Sequence, residues 1–351
     1  MKKNITLNQG AGGQQMDTFI KNTILKQFTT SSPQTEIPLS MLDDSAVIDD
    51  IVFSTDSHTI KPLIFPGGDI GSLAVAGTIN DVSVMGATPL ALSTGFILEE
   101  GLSLDLFQKI IKSMGKTAKK AATPIITGDT KVVEKGAIQE FMINTSGIGK
   151  RTNLLEENIV EVKRYRPFNS RWLLDSNLQP GDTIIASGNL GEHGIALMSF
   201  REGYGFETKL KSDVAPVNDL IAEALTIGGI VAAKDPTRGG LANTVNEFSE
   251  KSKTGIILDE EQLPVPAAVQ AACDMLGLDP LQIGNEGKVI FGVVNEKATE
   301  VLEKIRKHPL GKNAVIIGTV TDEINGVVLN TSIGGKRILQ KPLGDPIPRI
   351  C

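Results

Sequence analysis

One break in an otherwise regular pattern constrains the fold of this chain more than any other feature. Apolar strands and amphipathic helices recur from residue 40 onward, but the stretch 150–177 lacks them and holds the single Trp, Trp172, among several basic residues. A chain of 351 residues also exceeds what one hydrophobic core usually supports. The break therefore predicts two α/β halves, 40–150 and 178–341, joined by a linker or insertion at 151–177.

Hydrophobic periodicity assigns the elements within these halves. The clearest is a buried helix at 69–85, which Asp69 caps and Gly86 closes. Strands and helices do not alternate strictly, so mixed α+β sheets fit the pattern as well as a doubly wound parallel sheet does. An N-terminal Gly-rich segment, 1–39, precedes the first half. The other helices are predicted at 16–28, 104–122, 192–200, 214–226, 239–251 and 296–307.

The chain ends in a thiol, Cys351, at the end of a tail that spans 342–351. Three prolines, Pro342, Pro346 and Pro348, keep this tail out of helices and central strands and stiffen it. We therefore expect a flexible tail whose Cys351 is a nucleophile that visits more than one active site. Two alternatives are a frayed terminus with an incidental Cys and a docking peptide whose terminal carboxylate a partner captures.

Charge and cysteine content exclude several classes of protein. A net charge of −6 argues against a general nucleic-acid binder. The longest uncharged stretch, 82–98, is shorter than the roughly 20 residues that a membrane helix needs. Two cysteines are too few for a disulfide framework and predict a reducing, cytoplasmic setting. Of these, Cys273 has apolar helical spacing and is predicted to lie in the core.

Isolated carboxylates in the first half stand beside Gly, Ser, Thr or Asn at the ends of apolar segments. Such carboxylates suit Mg²⁺ bound together with substrate phosphates, because Mg²⁺ takes oxygen ligands and needs only one or two carboxylates per ion. Capping of helices and turns is the alternative role for each. The four that matter below are Asp44, Asp56, Asp81 and Asp129.

Several Gly-rich loops could present backbone N–H groups to anions, although none matches a P-loop or a dinucleotide-binding fingerprint. They lie at 9–13, 66–69, 188–191 and 237–240. The three histidines show no paired spacing, so zinc is not predicted. Glu286 is flanked by glycines at 284 and 287, where it is either a base or the end of a turn.

Five motifs resemble the HypE family of hydrogenase maturation proteins, and the resemblance runs over nearly the whole chain. They are STDSHTIKP at 54–62, PGGDIG at 66–71, TINDVSVMGA at 78–87, TGDTKVV at 127–133 and the ending PRIC at 348–351. The Asp and Gly motifs are shared more loosely with a wider ATP-dependent superfamily. That superfamily includes aminoimidazole ribonucleotide synthetase, selenophosphate synthetase and thiamine monophosphate kinase.

The resemblance implies a two-domain, aminoimidazole-ribonucleotide-synthetase-like fold whose first domains pair into a β-barrel across a homodimer. ATP and Mg²⁺ would bind near that interface, within the domain at 40–150. The four carboxylates above would be the Mg²⁺ ligands, and Lys131 and Arg238 would contact phosphate. Glu286 would be the base, with Lys131 as the alternative. The remaining cofactor-binding residues implied by the resemblance are Gly12, Gly13 and Asn80.

The family activity that this implies is the dehydration of a carbamoyl group. A carbamoyltransferase, HypF, would load Cys351, and the protein would convert the product into a thiocyanate with ATP. The cyano group would pass to iron on a HypC–HypD complex for [NiFe]-hydrogenase. The chemistry agrees, because oxide is a poor leaving group and phosphorylation by ATP makes it phosphate.

Two other functions are the alternatives. The first is another ATP enzyme of the superfamily, although selenophosphate synthetase would carry a reactive Cys near the N-terminal glycines and this chain has none there. The second is a nucleotide-sensing scaffold with a docking tail. One departure from the family is the stretch 153–174, which looks longer than the usual connector. It is predicted to be a loop, with a lid and a partner-docking surface as the alternatives.

Overall fold

The computed structural model describes residues 4–203, 210–344, 346–347 and 351. Pro348, Arg349 and Ile350 of the family-like ending lie outside these described residues. The helices are α1 Gly13–Phe19, α2 Ile70–Val84, α3 Leu104–Lys120, α4 Asn153–Val162, α5 Glu192–Glu202, α6 Asn218–Leu225, α7 Gly240–Ser252, α8 Ala267–Leu276 and α9 Asn295–Lys307.

The strands form two large sheets and one short hairpin. Those of the first half are β1 Thr35–Ile37, β2 Ala46–Ile48, β3 Ile51–His58, β4 Ile64–Phe65, β5 Gly68–Asp69, β6 Thr88–Glu99, β7 Ile125–Val133 and β8 Phe141–Lys150. Those of the second half are β9 Thr183–Ala186, β10 Ile230–Lys234, β11 Gly255–Asp259, β12 Ile290–Val293, β13 Val315–Thr321, β14 Val327–Asn330 and β15 Lys336–Ile338.

The first sheet has six strands in the order β1-β2-β3-β8-β6-β7. Strand β6 runs parallel to β7, and the other pairs are antiparallel. Its central strands alternate between buried and accessible side chains, as in β8, so one face is covered and the other is open. Helix α2 lies on the covered face, and thirteen of its fifteen residues are buried.

The sequence around α2 determines where this helix starts and stops. The Asp69 carboxylate accepts a hydrogen bond from the Ser72 N–H at 2.9 Å, which caps the first turn. Gly86 follows the last turn with a φ of +82°, a conformation that favours glycine. The helix predicted at 69–85 is therefore confirmed.

The second sheet has seven strands in the order β10-β12-β9-β13-β11-β14-β15. Only β11 and β14 pair in parallel. Every residue of β9, β10 and β12 is buried, so this part of the sheet has helices or loops on both faces. Both sheets are mixed, which confirms the α/β, or α+β, fold class.

The stretch 153–174 is not a loop, so that prediction is wrong. Leu155, Ile159 and Val162 lie four and then three residues apart and are all buried on one face of α4. Trp172 is 1% exposed, and its indole Nε1–H donates to Glu36 Oε2 at 3.1 Å. This segment is part of the main hydrophobic core, because its apolar residues pack against those of both halves.

Two predicted helices differ in their bounds. The helical path at 16–28 begins earlier as α1 and continues as a π turn, Ile20–Ile24, and a 3-10 turn, Leu25–Gln27. The helix predicted at 214–226 begins only at Asn218, because the Val217 N–H donates to Asn80 Oδ1 at 2.9 Å instead of entering the helix.

Cys273 is fully buried in α8, as predicted, and burial raises the pKa of its thiol to about 11.

Within the described part of the chain, each helix is too short or too polar to cross a lipid bilayer.

The described tail residues lie against the body of the protein. The Pro342 carbonyl accepts a hydrogen bond from the Gln14 N–H at 3.0 Å, and Lys341 Nζ pairs with Asp17 Oδ2 at 2.6 Å. Ile347 is 1% exposed and belongs to a hydrophobic cluster that includes Ile283. The described tail residues therefore lie against the body instead of extending away from it, because the Ile347 side chain occupies a buried position.

Candidate functional site

A cleft of about 630 Å³ lies where the N-terminal segment, both sheets and the tail meet. Its walls come from four parts of the sequence that are far apart along the chain. Among the residues that line it are Gly12, Gly13, Asp44, Asp56, Asp81, Lys234, Asp235, Arg238, Glu286 and Cys351. Most of the residues singled out from the sequence therefore converge on one cavity.

Three of the carboxylates that the first half contributes to this cleft are predicted site residues. Asp56 lies on β3 and Asp81 on α2, while Asp44 precedes β2. Ser54 Oγ–H donates to Asp81 Oδ2 at 2.8 Å. Burial first, and then the negative charges of neighbouring aspartates, raise the pKa of Asp81 well above its usual value. The three carboxylates thus repel one another in a partly dehydrated space.

The second half contributes cations that partly offset this charge. Lys234 Nζ lies 2.6 Å from Asp44 Oδ1, 3.2 Å from Asp175 Oδ2 and 3.2 Å from Glu247 Oε2. Lys251 Nζ pairs with Asp175 Oδ2 at 2.6 Å. Although burial opposes it, these two lysines lower the pKa of Asp175.

The donor atoms of the cleft fit a divalent cation. Oxygens of Asp43, Asp44 and Asp175 lie within 4.8 Å of one another. Asp44 Oδ2 and Asp235 Oδ2 are buried without a hydrogen-bond partner among the described residues. Burial and then the charge of Asp44 raise the pKa of Asp235 to about 8. Because unpaired carboxylate oxygens are the ligands that Mg²⁺ prefers, this set suits Mg²⁺ with phosphates.

The C-terminal residue reaches the same cleft. The Thr59 N–H donates to a main-chain oxygen of Cys351 at 3.3 Å. The negative charge at Cys351 raises the pKa of Arg238, so the guanidinium lies close to the tail end. Gly12 has a φ of +75°, and a Cβ there would come 2.9 Å from Arg238 Cβ. Only glycine therefore allows the N-terminal segment to approach Arg238 so closely.

Glu286 is the buried carboxylate whose burial and pKa best suit a general base. It is 3% exposed, and its Oε1 has no hydrogen-bond partner within the described ranges. Burial, followed by the charges of Asp235, Asp56 and Asp213, raises its pKa well above the usual value. A carboxylate with a raised pKa binds a proton more strongly, which suits proton abstraction.

Three predicted site residues do not line the cleft. Asn80 is buried, and its side-chain amide is taken up by main-chain groups of the second half, donating to the Ala215 carbonyl at 3.2 Å. Asp129 and Lys131 are exposed on β7, the edge strand of the first sheet. Three strand spacings, about 14 Å, separate Asp129 from Ser57, the neighbour of Asp56. Within one chain, the fold thus keeps these residues apart from the other carboxylates.

The sequence analysis missed several residues in or beside the cleft. They are Lys234, Asp235, Glu247 and Lys251, which line it, and Asp175, which pairs with both of these lysines behind it. Asp235 follows the buried strand β10 and precedes the loop at 237–240, the same acid-at-a-strand-end signal that identified Asp56. Asp175 gives no such signal, because its role depends on contacts with lysines that are 59 and 76 positions away.

Family models match both halves of the chain. Residues 42–150 match the AIR synthase related protein, N-terminal domain, and residues 179–329 match the AIR synthase related protein, C-terminal domain. The carbamoyl dehydratase HypE of Escherichia coli K12 is 41% identical over 99% of both chains.

Two solved structures are similar over nearly their whole length. A HypE–HypF complex contains a chain that is 42% identical, with a TM-score of 0.83, covering 92% of this chain and 99% of that one. A hydrogenase maturation protein HypE in complex with ATP is 39% identical, with a TM-score of 0.78, covering 99% and 100%.

Proposed function

Because this chain belongs to the HypE carbamoyl dehydratase family of AIR synthase related proteins, we propose that it dehydrates a carbamoyl group on its own Cys351 to a thiocyanate. The reaction consumes ATP and provides a cyano group for hydrogenase maturation. The observation that supports this most is that Cys351 lines the same cleft as the candidate phosphate and Mg²⁺ ligands. A carrier group and a nucleotide site would then share one chamber.

The proposed reaction balances with ATP as the acceptor of one oxygen. The carbamoyl oxygen attacks the γ-phosphorus of ATP, so a new O–P bond forms and ADP leaves. Loss of the two nitrogen protons and cleavage of the C–O bond then give –S–C≡N and phosphate. The phosphorylation step thus replaces oxide, a very poor leaving group, by phosphate, which departs in the second step.

Residues of the cleft take distinct roles in this proposal. Glu286 accepts a proton from the carbamoyl nitrogen, and the buried site keeps water from competing for it. Arg238, next to the tail end, faces the phosphorylated oxygen. Asp44, Asp56 and Asp81 would hold Mg²⁺, which when bound neutralises phosphate charge. Gly12 and Gly13 close the N-terminal segment over the nucleotide.

The open face of the first sheet supports a homodimer. Apolar side chains are exposed on this face. A second sheet stacked on it, from another copy of the chain, would bury them. They include Phe53, Leu90, Ile97, Ile126 and Ile148. Pairing of these faces would form the predicted intersubunit barrel. It would also give Asp129 and Lys131 of one copy access to the cleft of the other, where they would serve as the remaining Mg²⁺ and phosphate ligands.

Partners and location follow from the same proposal. HypF, which a relative binds in a solved complex, is proposed as the carbamoyl donor. A HypC–HypD complex is proposed as the cyano acceptor. The reduced state that Cys351 needs places this chemistry in the cytoplasm.

Intact mass spectrometry tests the proposal directly. The protein is incubated with the carbamoyltransferase, its carbamoyl donor and Mg-ATP. We expect the mass to increase by one carbamoyl group and then to decrease by one water, with both changes absent in Cys351→Ala. Loading without water loss would move the dehydration to another protein. No modification of a folded, ATP-binding sample would favour the scaffold with a docking tail.

A further inference from the structure

A buried ion pair holds the loop that carries Glu286, and we infer that Asp213 and Lys288 are positioning residues for Glu286. Lys288 Nζ lies 3.2 Å from Asp213 Oδ2, and the two side chains are 10% and 1% exposed. Burying two charges costs desolvation free energy, which is offset only when the pair has good geometry and makes further hydrogen bonds. The inference rests on the proposed function, since it deepens the role of Glu286 in the dehydration step.

Asp213, one member of the pair, is hydrogen-bonded to the main chain of Glu286. Asp213 Oδ1 accepts a hydrogen bond from the Glu286 N–H at 3.0 Å. The Ala215 N–H donates to the Glu286 carbonyl at 3.3 Å. A Cβ at Gly287 would come 2.0 Å from the Asp213 carbonyl oxygen, so the two segments touch without room for a side chain. Movement of Asp213 therefore moves Glu286.

Further contacts tie Lys288 and the segment around Glu286 to neighbouring parts of the second half. Lys288 Nζ lies 3.7 Å from Glu192 Oε2 in the first turn of α5. Next to Glu286, the Asn285 Oδ1 accepts from the Gly191 N–H at 2.7 Å. The Asn285 Nδ2 group donates to the Pro236 carbonyl at 3.2 Å, beside the loop that carries Arg238. The position of Glu286 relative to Arg238 thus depends on these buried groups.

The pair also acts on the charge of Glu286. The groups that act on this carboxylate are Asp235, Asp56 and Asp213, which raise its pKa, and Arg238, which lowers it. Lys288 compensates Asp213 at close range. Replacing Asp213 by a neutral residue removes a negative charge and lowers the pKa of Glu286. Removing Lys288 leaves Asp213 uncompensated and raises it.

The test uses the full-length protein, loaded at Cys351, in the variants Asp213→Asn and Lys288→Met. The rate of water loss is followed by intact mass after Mg-ATP is added, over a range of pH. We expect the rate near neutral pH to fall about tenfold in both, because a hydrogen bond to a charged group is lost or loosened, while carbamoyl loading is unchanged. The rising limb of the pH profile should move to lower pH in Asp213→Asn and to higher pH in Lys288→Met.

Three comparisons distinguish positioning from simple loss of folding. Lys288→Arg should restore most of the rate, and Asp274→Asn, on the exposed face of α8, should match the unaltered protein. In a Glu286→Gln background, Asp213→Asn should cause no further loss. Additive losses, or limbs that stay in place in both variants, would overturn the inference. Loading without dehydration in the unaltered protein would instead contradict the proposed function.

Discussion

The two sheets of this protein differ in how completely each is covered. In the second sheet, β9, β10 and β12 are buried on both faces. In the first sheet, one face packs on α2 and the other exposes Phe53 and Ile148, which are directly opposite each other on β3 and β8. The second half thus completes its own core, whereas the first half needs another surface. The cleft lies between them and takes acids from both halves but most of its cations from the second.

The largest expected effect is on the covered sheet. Phe291→Ala in β12 should lower the free energy of unfolding by about 3–5 kcal/mol, since it leaves a cavity in a fully buried layer. Fluorescence of Trp172, the only Trp, during urea unfolding reports the change, because Trp172 belongs to the same core. The matched control Phe53→Ala should cost much less, and equal losses would break the comparison.

The open sheet should respond in association instead. Phe53→Asp should weaken a dimer built on this face about 100-fold, because each copy would bury a charge in place of a ring. Sedimentation velocity over a range of concentrations measures the change. Met275→Asp, which alters another exposed apolar residue, on α8, should leave the association intact. Dissociation by Met275→Asp alone would assign the dimer to a different face.

At the cleft, one substitution can disrupt the close contact between the N-terminal segment and the tail. Gly13 has a φ of +69°, and a Cβ there would come 2.1 Å from the Pro342 carbonyl oxygen. Gly13→Ala should therefore raise the rate of Cys351 alkylation about tenfold, as expected for roughly 1–2 kcal/mol of strain. Buried Cys273 is the internal reference, and Gly10→Ala, with open space around it, is the control. An unchanged rate would show that this contact does not hold the tail.

The smallest effect concerns pH. The folded protein holds a proton on Asp235 up to about pH 8, whereas the unfolded chain releases it near pH 4. The folded state thus binds more protons in this window, so stability falls as pH rises from about 4 to about 8. Asp235→Asn should reduce this fall, so that the melting temperature of the variant decreases less than that of the unaltered protein as pH rises toward 8. If the melting temperatures of the variant and the unaltered protein change equally with pH, another group of the cleft causes the pH dependence of stability.

The elements that the sequence predicted best are those whose signals are local. Helix α2 has its cap, its apolar body and its closing glycine within one continuous stretch. The loop prediction for 153–174 is wrong because the three buried apolar residues of α4 are mixed with four charged ones between Leu155 and Arg164. The burial of the segment also depends on Trp172 and Glu36 meeting across the fold.

The candidate site divides in the same way. Asp44, Asp56, Asp81, Arg238 and Glu286 each stand at an element end or in a Gly-rich loop, and these signals led to one cavity. Lys234 and Asp175 carry no such signal, since their partners are distant in sequence. Asp129 carries the same local signal as the other carboxylates, and the role of Lys131 was implied by the resemblance. Both lie on the edge strand β7, three strand spacings from β3, and so do not reach the cleft of their own chain.

The burial of Ile347 determines the fraction of time for which the tail is docked in its own cleft. Four positions before the thiol, Ile347 is buried in the body, and exposing such a side chain costs about 1.5–3 kcal/mol. That cost corresponds to a ratio of about 10 to 100 between docked and released tails. Cys351 would then be away from its own cleft for only about 1–10% of the time. A donor enzyme that covers Ile347 would lengthen the time for which the tail is released. A smaller residue at this position would shorten the time for which the tail is docked.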